Sequence, residues 1–136
     1  MKFEKIKYQD LKPKQKEIYN FQKVSGLLAG YGYTCIKLAD DWCGADFLAY
    51  KFDGNETLNV QLKGRITIDK KYKNAANLYM AFRNRGNWYL VPHEKLIEII
   101  RQVSPKWLLS NSWLTGGSYS AANSKKLAAA MVDFKL

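Results

Sequence analysis

ADFLAYKFDGNETLNVQLK, residues 45–63, is the stretch that decides the expected fold of this chain. Two runs rich in β-branched and aromatic residues, 45–52 and 57–65, flank Asp53-Gly54-Asn55-Glu56. Gly-Asn is a common two-residue hairpin loop, and runs of this composition are typical of strands. We therefore predict an antiparallel hairpin that turns at Gly54-Asn55.

The register of this hairpin brings polar side chains together at one end of one face. A two-residue loop places Asp46 opposite Lys63, and residues that face each other point to the same side of the sheet. The same register places Leu48 opposite Gln61. Side chains alternate along a strand, so Gln61 and Lys63 share that face. The other face receives the apolar residues of the second strand, Leu58, Val60 and Leu62. A carboxylate, an amide oxygen and an ammonium group are thus expected to converge.

This motif resembles that of the PD-(D/E)XK nuclease superfamily, with Ala45-Asp46 in place of Pro-Asp and Gln61-Leu62-Lys63 in place of (D/E)-x-K. The resemblance extends roughly from Lys14 to Arg101. It implies an α/β (α+β) restriction-endonuclease-like fold, in which a central mixed sheet of about five strands is flanked by an N-terminal helix and by C-terminal helices. Residues 1–136 are expected to form a single domain.

The same resemblance implies a divalent-metal site. Asp46 and Gln61 become ligands of Mg²⁺ or Mn²⁺ together with the main-chain carbonyl of Leu62, and Lys63 becomes the catalytic cation. Gln61 departs from the superfamily pattern, since it keeps a hard oxygen donor but removes one negative charge. Metal affinity is expected to fall unless another carboxylate compensates.

Glu17 is the candidate for that missing charge. Residues 12–29 are predicted as an amphipathic helix, because a proline suits the first turn and glycines follow the last. Apolar residues recur along it at helical spacing: Ile18, Phe21, Val24 and Leu28. Glu17 is expected on the core-facing edge, and superfamily members often place an acidic ligand on this helix. The alternative is a surface ion pair of Glu17 with Lys14 or Lys16.

The remaining elements are predicted from periodicity and turn residues. Strands are expected at 33–38, 78–83 and 88–91, one helix from Pro92, and a last helix from Ser124 as N-cap to about Val132. The predicted order is α-β-β-β-β-β-α-α. The superfamily core commonly has a helix between its third and fourth strands, and here only residues 70–77 offer one.

The net charge of +10 fits a polyanionic partner, although basic proteins also bind acidic proteins or simply remain soluble. The resemblance implies that this partner is DNA. Basic residues interleaved with aromatic ones follow Lys63, and such a segment can neutralise phosphates while its rings stack or pack. These candidate nucleic-acid contacts are Arg65, Lys70, Lys71, Lys73, Arg83 and Arg85. A second basic cluster comprises Lys2, Lys5, Lys7, Lys12, Lys14 and Lys16, of which Lys14 and Lys16 flank Glu17. The alternative is a solvated segment whose aromatic residues belong to the core.

The cysteines and the N-terminal residues indicate the cellular setting. Cys35 is placed in a strand and Cys43 in a loop, and their spacing favours neither a disulfide nor a zinc site. The segment MKFEKIKYQD is too polar for a signal peptide. We expect two reduced thiols and a cytoplasmic location.

Other polar residues receive structural interpretations. His93 is expected to cap a helix or to lie on the surface. Asp40 and Asp41 are placed in a loop, where they could approach the metal or cap turns. Residues 116–120 are predicted as a turn before the last helix, with Tyr119 a candidate phosphate contact.

The function expected from this pattern is metal-assisted hydrolysis of a DNA phosphodiester by an endonuclease. One site per chain cuts one strand at a time, so cleavage of a duplex or junction implies at least a homodimer. Junction-resolving, homing and restriction-type enzymes stay open as alternatives. A degenerate member of the fold that binds nucleic acid without cutting, and an enzyme that acts on RNA, stay open as well.

Overall fold

A central sheet organises residues 1–75 and 77–136, the part of the chain that a computed structural model describes. Its five strands are β1 (Tyr33–Trp42), β2 (Ala45–Lys51), β3 (Thr57–Leu62), β5 (Leu78–Asn84) and β6 (Asn87–Pro92), which lie in that order across the sheet. The pair β3 and β5 is parallel, and the other neighbours are antiparallel. The mixed sheet predicted from the sequence is confirmed.

Helices cover both faces of this sheet. On one face lies α1 (Pro13–Ala29), which buries Val24 and Leu28 against Phe47 and Val60. On the other lie α2 (His93–Val103), α3 (Asn111–Leu114) and α4 (Lys125–Ala130). The predicted α+β arrangement, with an N-terminal helix and C-terminal helices, is therefore confirmed. No helix in the described residues is long and apolar enough to cross a membrane.

The predicted hairpin forms, but its loop is longer than expected and its register differs by two residues. Lys51 N–H donates to the Glu56 carbonyl at 2.9 Å, so residues 52–55 form the loop. Tyr50 accordingly pairs with Thr57, and Leu48 pairs with Asn59 rather than with Gln61. The Asp53 carboxylate stabilises the wider loop, since it accepts the N–H of Asn55 at 3.0 Å. A shift of two residues keeps every side chain on its predicted face.

Two short strands form a second sheet that the sequence pattern did not predict. The strand expected over 57–65 ends at Leu62, and Ile66–Asp69 leaves the central sheet as β4. Its partner is β7 (Ser118–Ala121), so most of the turn predicted at 116–120 is a strand. A 3-10 helix over Lys70–Tyr72 takes the place of the helix considered at 70–77, and Ala76 lies outside the described residues.

The burial of two side chains, Ile18 and His93, is the opposite of what was predicted. Ile18 is 43% exposed, and the first buried residue of α1 is Asn20. His93 is buried rather than at the surface, and its Nε2 accepts the Asp69 N–H at 3.2 Å. Burial lowers the pKa of His93, which the nearby carboxylates of Glu94 and Asp69 partly offset. His93 therefore joins the start of α2 to the end of β4 as a packed core residue.

Asn84 fixes the position of α4. Its Nδ2 donates to the Ser124 carbonyl at 2.9 Å, and its Oδ1 accepts the Ser124 N–H at 2.8 Å. Ser124 caps the helix as predicted, because its Oγ accepts the Leu127 N–H at 3.1 Å. Asn84 has no exposed surface, so both of these hydrogen bonds are shielded from water.

Replacing Asn84 by alanine should lower the free energy of unfolding by about 2–4 kcal/mol, because it leaves a cavity and two buried main-chain groups without partners. Asn87 is the matched control, since it is half-buried and makes only one long hydrogen bond, at 3.5 Å to the nearby Arg85 carbonyl. The Asn87→Ala change should cost under about 1 kcal/mol. Urea unfolding of both variants measures the difference, and equal losses would contradict this role for Asn84.

Candidate active site

A cavity of about 140 Å³ opens between the first half of α1 and the β1–β2 edge of the sheet. Residues from four segments surround it: Lys14, Glu17, Phe21, Lys37, Leu38, Ala39, Asp40, Asp41, Asp46, Phe47 and Leu62. Of the predicted site residues, the cavity thus brings together Glu17, Asp46 and Leu62. Gln61 and Lys63 lie on the same strand as Leu62 or directly after it, but do not line the cavity wall.

Asp46 is the half-buried carboxylate at the centre of this site. Its Oδ2 accepts the N–H of Leu62 at 2.8 Å, which ties the start of β2 to the end of β3. Burial raises the pKa of Asp46, while the Leu62 N–H and the charge of Lys63 lower it. The charges of Asp41 and Glu17 raise it further. A carboxylate in these surroundings is stabilised by a cation.

A tight turn brings Asp41 beside Asp46. Cys43 and Gly44 both have positive φ, 53° and 85°, as a two-residue hairpin loop of this kind requires. Trp42 pairs with Ala45 across the turn, and the register of β1 against β2 shifts between Lys37 and Trp42, which leaves residues 38–41 across from Asp46. The charge of Asp41 lies close enough to raise the pKa of Asp46. Asp40 and Asp41 therefore belong to β1 and not to the loop that was predicted for them. Their approach to the metal site was one of two interpretations of the sequence, but their place in a strand was not predicted because the turn residues Cys43-Gly44 were not recognised.

Gln61 lies on the other side of Asp46. Phe47 pairs with Val60, and continuing that register by one residue sets Asp46 opposite Gln61. Gln61 is only 6% exposed, and its Oε1 has no hydrogen-bond partner in the described residues. A buried amide oxygen without a partner costs about 1–3 kcal/mol. Its environment therefore favours a ligand that accepts electron density, such as a cation or its bound water.

The Leu62 carbonyl points towards Asp46. Within a strand, the N–H and the C=O of one residue point in the same direction, and the next residue points the opposite way. The Leu62 N–H is directed at Asp46, and the N–H of Lys63 is directed at the Ala81 carbonyl of β5, at 2.8 Å. The main chain therefore directs the Leu62 carbonyl oxygen towards Asp46, where a shared metal ion would lie.

Glu17 forms a surface ion pair and also lies at the candidate metal site. It forms a surface ion pair with Lys14 at 3.3 Å, and it also lines the cavity close enough to raise the pKa of Asp46. Its side chain is exposed, so it does not face the core as predicted. Glu17 is therefore a water-accessible carboxylate at the mouth of the cavity.

The charges of the cavity suit a hydrated divalent cation. In the described chain its wall carries the carboxylates of Glu17, Asp40, Asp41 and Asp46 against the ammonium groups of Lys14 and Lys37, an excess of two negative charges in a protein of net charge +10. The described residues hold no cluster of three or more His, Cys, Asp or Glu side chains arranged to enclose a metal. Mg²⁺ commonly retains several waters and needs only one or two carboxylates, so this donor set fits it.

The predicted nucleic-acid contacts lie in several places on the protein. Lys16 and Arg83 lie over the ring of Tyr8, at 5.4 Å each, on the side of the sheet that α1 covers. Arg65 and Lys70 lie along the small sheet, where they donate to the carbonyls of Ser120 and Leu114. Lys14 lines the cavity, Lys71 is exposed on the 3-10 helix over Lys70–Tyr72, and Lys73 and Arg85 are exposed in turns.

Tyr119 and the cysteines have structural surroundings. Tyr119 stacks on Trp107, with ring centroids 5.0 Å apart, and so belongs to the packing of β7. Cys35 is half-buried in β1 and Cys43 is exposed in the turn after it, and each is a free thiol. Burial raises the pKa of Cys35, which makes it a poor nucleophile at neutral pH.

Comparisons with known proteins find a likeness among solved structures. No protein-family model matches the sequence, and no curated protein matches it. Among solved structures, Archaeoglobus fulgidus Hjc, a Holliday junction resolvase from an archaeal hyperthermophile, aligns with a TM-score of 0.48 at 18% sequence identity. The alignment covers 58% of this chain and 74% of that one. A likeness of this size supports no conclusion about what this chain does.

Proposed function

We propose that this protein is a metal-dependent endonuclease that hydrolyses phosphodiester bonds in DNA. The observation that carries the proposal is the grouping of Asp41, Asp46 and Gln61 on three adjacent strands, with the Leu62 N–H hydrogen-bonded to the carboxylate of Asp46. Asp41, Asp46 and Leu62 line a cavity with excess negative charge in a strongly basic chain. Such a site attracts a divalent cation, while the surrounding surface attracts a polyanion.

The ligands we assign are Asp46, Gln61, Glu17 and the Leu62 carbonyl. Mg²⁺ or Mn²⁺ held by these oxygens supplies Lewis-acid polarisation of the scissile phosphate and lowers the pKa of the attacking water. Asp46 is held in place by the Leu62 N–H, so its orientation is set before the cation binds. Glu17 supplies, from an exposed side chain, the negative charge that Gln61 lacks.

Lys63 is the catalytic cation of the proposal. Alternation along the chain puts its side chain on the same face as Gln61, and its charge lowers the pKa of Asp46. Its main-chain N–H is fixed to the Ala81 carbonyl at 2.8 Å, which sets where the side chain starts. Lys63 then stabilises the negative charge that builds on the phosphoryl oxygens as the bond breaks.

Cleavage of two strands requires two copies of the site, so we propose a homodimer as the minimal active unit on a duplex or a junction. Incubating the protein and Mg²⁺ with a supercoiled plasmid and with a four-way junction shows which of these substrates is cut. Nicked and linear plasmid with an intact junction would assign a duplex endonuclease, and paired cuts at the branch point would assign a junction-resolving enzyme. An RNA duplex in the same assay tests the preference for DNA.

Gln61→Glu should tighten Mn²⁺ binding about tenfold, or about 1.4 kcal/mol, because it restores a carboxylate beside Asp46. Gln102→Glu is the control, since it adds the same charge at an exposed position on α2. Isothermal titration with Mn²⁺ gives both affinities. A marked loss of affinity in the Gln61→Glu variant would argue against ligation by residue 61.

A further inference from the structure

Residues 1–7 form an extended basic arm. They contain Lys2, Lys5 and Lys7 against a single acid, Glu4, and each of the seven residues is exposed outside any helix or strand. Even the apolar side chains of this arm do not pack on the rest of the chain, since Phe3 is 87% and Ile6 is 62% exposed. Three lysines on a segment that can adapt its shape suit a surface with regularly spaced negative charges.

Tyr8 fastens the base of this arm. Its hydroxyl oxygen accepts a hydrogen bond from Nδ2 of Asn20 at 3.0 Å, and its ring lies 5.3 Å from that of Tyr19. The cations of Lys16 and Arg83 lie 5.4 Å from the same ring. Asn20 is a buried amide in the middle of a helix, a costly residue at such a position. These contacts hold one end of an otherwise free segment at a defined place.

The anchored end lies beside the candidate active site. Lys16 and Asn20 directly precede Glu17 and Phe21, which line the cavity, so the two pairs occupy adjacent stripes of α1. The strand β5, which carries Arg83, runs parallel to β3, and Leu62 pairs with Ala81. The Lys63 N–H donates to the Ala81 carbonyl at 2.8 Å, two residues before Arg83. The base of the arm is therefore one strand away from the proposed catalytic lysine.

We propose that residues 1–7 are a nucleic-acid-binding arm that tracks the phosphate backbone leaving the cavity, with Tyr8 as its fixed base. The inference rests on the proposed function, since the cavity defines where the backbone lies. Lys2, Lys5 and Lys7 neutralise phosphates beside the one that is cut, and Lys16 and Arg83 extend this basic path along α1 and β5. The arm contributes affinity and takes no part in chemistry at the metal site.

The test uses a triple substitution of Lys2, Lys5 and Lys7 by Gln in the full-length chain. Its matched control replaces Lys125, Lys126 and Lys135, which are exposed near α4 and its C-terminal end. Binding to a four-way junction and to a duplex is measured in Ca²⁺ at several KCl concentrations, and cleavage is measured in Mg²⁺. A Tyr8→Ala variant tests the anchor while keeping all three lysines.

We expect the arm substitution to weaken binding at least about tenfold and to reduce the slope of log affinity against log salt by about 2.7 on duplex DNA, the value for three lost phosphate contacts. The control triple should weaken binding by less than about threefold and reduce the salt slope by less than about 0.9. Tyr8→Ala should weaken binding about threefold to tenfold, because the arm is then no longer anchored. Equal behaviour of the two triples on nucleic acid would overturn the arm.

One further outcome tests the endonuclease independently of the arm. Another distinguishes a nucleic-acid-binding arm from a membrane-binding segment. If wild-type protein binds but does not cut, the proposed endonuclease fails while the arm is still judged by its effect on binding. If the arm substitution abolishes binding to vesicles that contain anionic lipid and leaves nucleic-acid binding unchanged, the arm belongs to a membrane surface and the inference is overturned.

Discussion

Asp46→Asn should lower the rate of DNA cleavage about a thousandfold or more while the fold is retained. The carboxylate is the one proposed ligand whose position is fixed by a hydrogen bond, from Leu62 N–H to Oδ2 at 2.8 Å. An asparagine can still accept this hydrogen bond through its Oδ1, so the loss isolates the negative charge. Single-turnover cleavage in Mg²⁺, with far-ultraviolet circular dichroism as the control for folding, measures the effect. Near-normal cleavage by this variant would remove Asp46 from the site.

The same substitution should raise stability at neutral pH. Because burial raises the pKa of Asp46, the folded protein binds this proton more tightly than the unfolded chain, and the charged carboxylate destabilises the fold above the raised pKa. The gain, up to about 1 kcal/mol for a group that water partly reaches, should vanish below about pH 3.9, where the carboxyl is protonated in both states. Urea unfolding at pH 7 and at pH 3.5 tests this, with the exposed Asp133→Asn as the matched control. A loss of stability at pH 7 would contradict the account of Asp46.

Lys63→Gln should lower the cleavage rate about a hundredfold to a thousandfold, the usual cost of removing one group that stabilises charge in the transition state. Lys63 is not a proposed ligand, so Mn²⁺ affinity should stay the same or rise slightly as a positive charge leaves the neighbourhood of Asp46. Lys126→Gln, which removes an exposed lysine on α4, should cleave at the normal rate. Single-turnover rates and Mn²⁺ titrations of both variants measure these effects.

Two results would count against this role for Lys63. A full cleavage rate in the Lys63→Gln variant would exclude it from catalysis. A large loss of Mn²⁺ affinity in that variant would show that the substitution disturbs the metal site itself, because the side chain carries no oxygen donor and its positive charge opposes the cation.

Local rules were sufficient for the elements of the central sheet. The hairpin, the helix before it and the strands after it follow from periodicity, glycines and capping residues over short distances, and Ser124 was correctly identified as a cap. The register of the hairpin was predicted wrongly, but the face of each side chain was predicted correctly. A loop of four residues in place of two moved the partner of Leu48 from Gln61 to Asn59, yet the alternation of faces survived because the shift was even.

What could not be predicted depends on contacts between distant parts of the chain. The pairing of β4 with β7 joins residues about fifty positions apart, and each strand is too short to be recognised alone. The burial of His93 follows from that pairing, since its partner is the Asp69 N–H at the end of β4. The place of Asp41 in β1 was missed for a local reason, because a Cys-Gly turn with positive φ at both positions is uncommon.

We propose that the cavity beside Asp46 binds a divalent cation and that the protein cuts DNA with it. The most direct measurement is cleavage of a supercoiled plasmid and a four-way junction in Mg²⁺, Mn²⁺ and EDTA, beside a gel shift of the same substrates in Ca²⁺. We predict cleavage of at least one substrate in Mg²⁺ or Mn²⁺, none in EDTA, and binding without cleavage by the Asp46→Asn variant. Binding by the wild-type protein without cleavage in every metal, or cleavage that persists in EDTA, would contradict the claim.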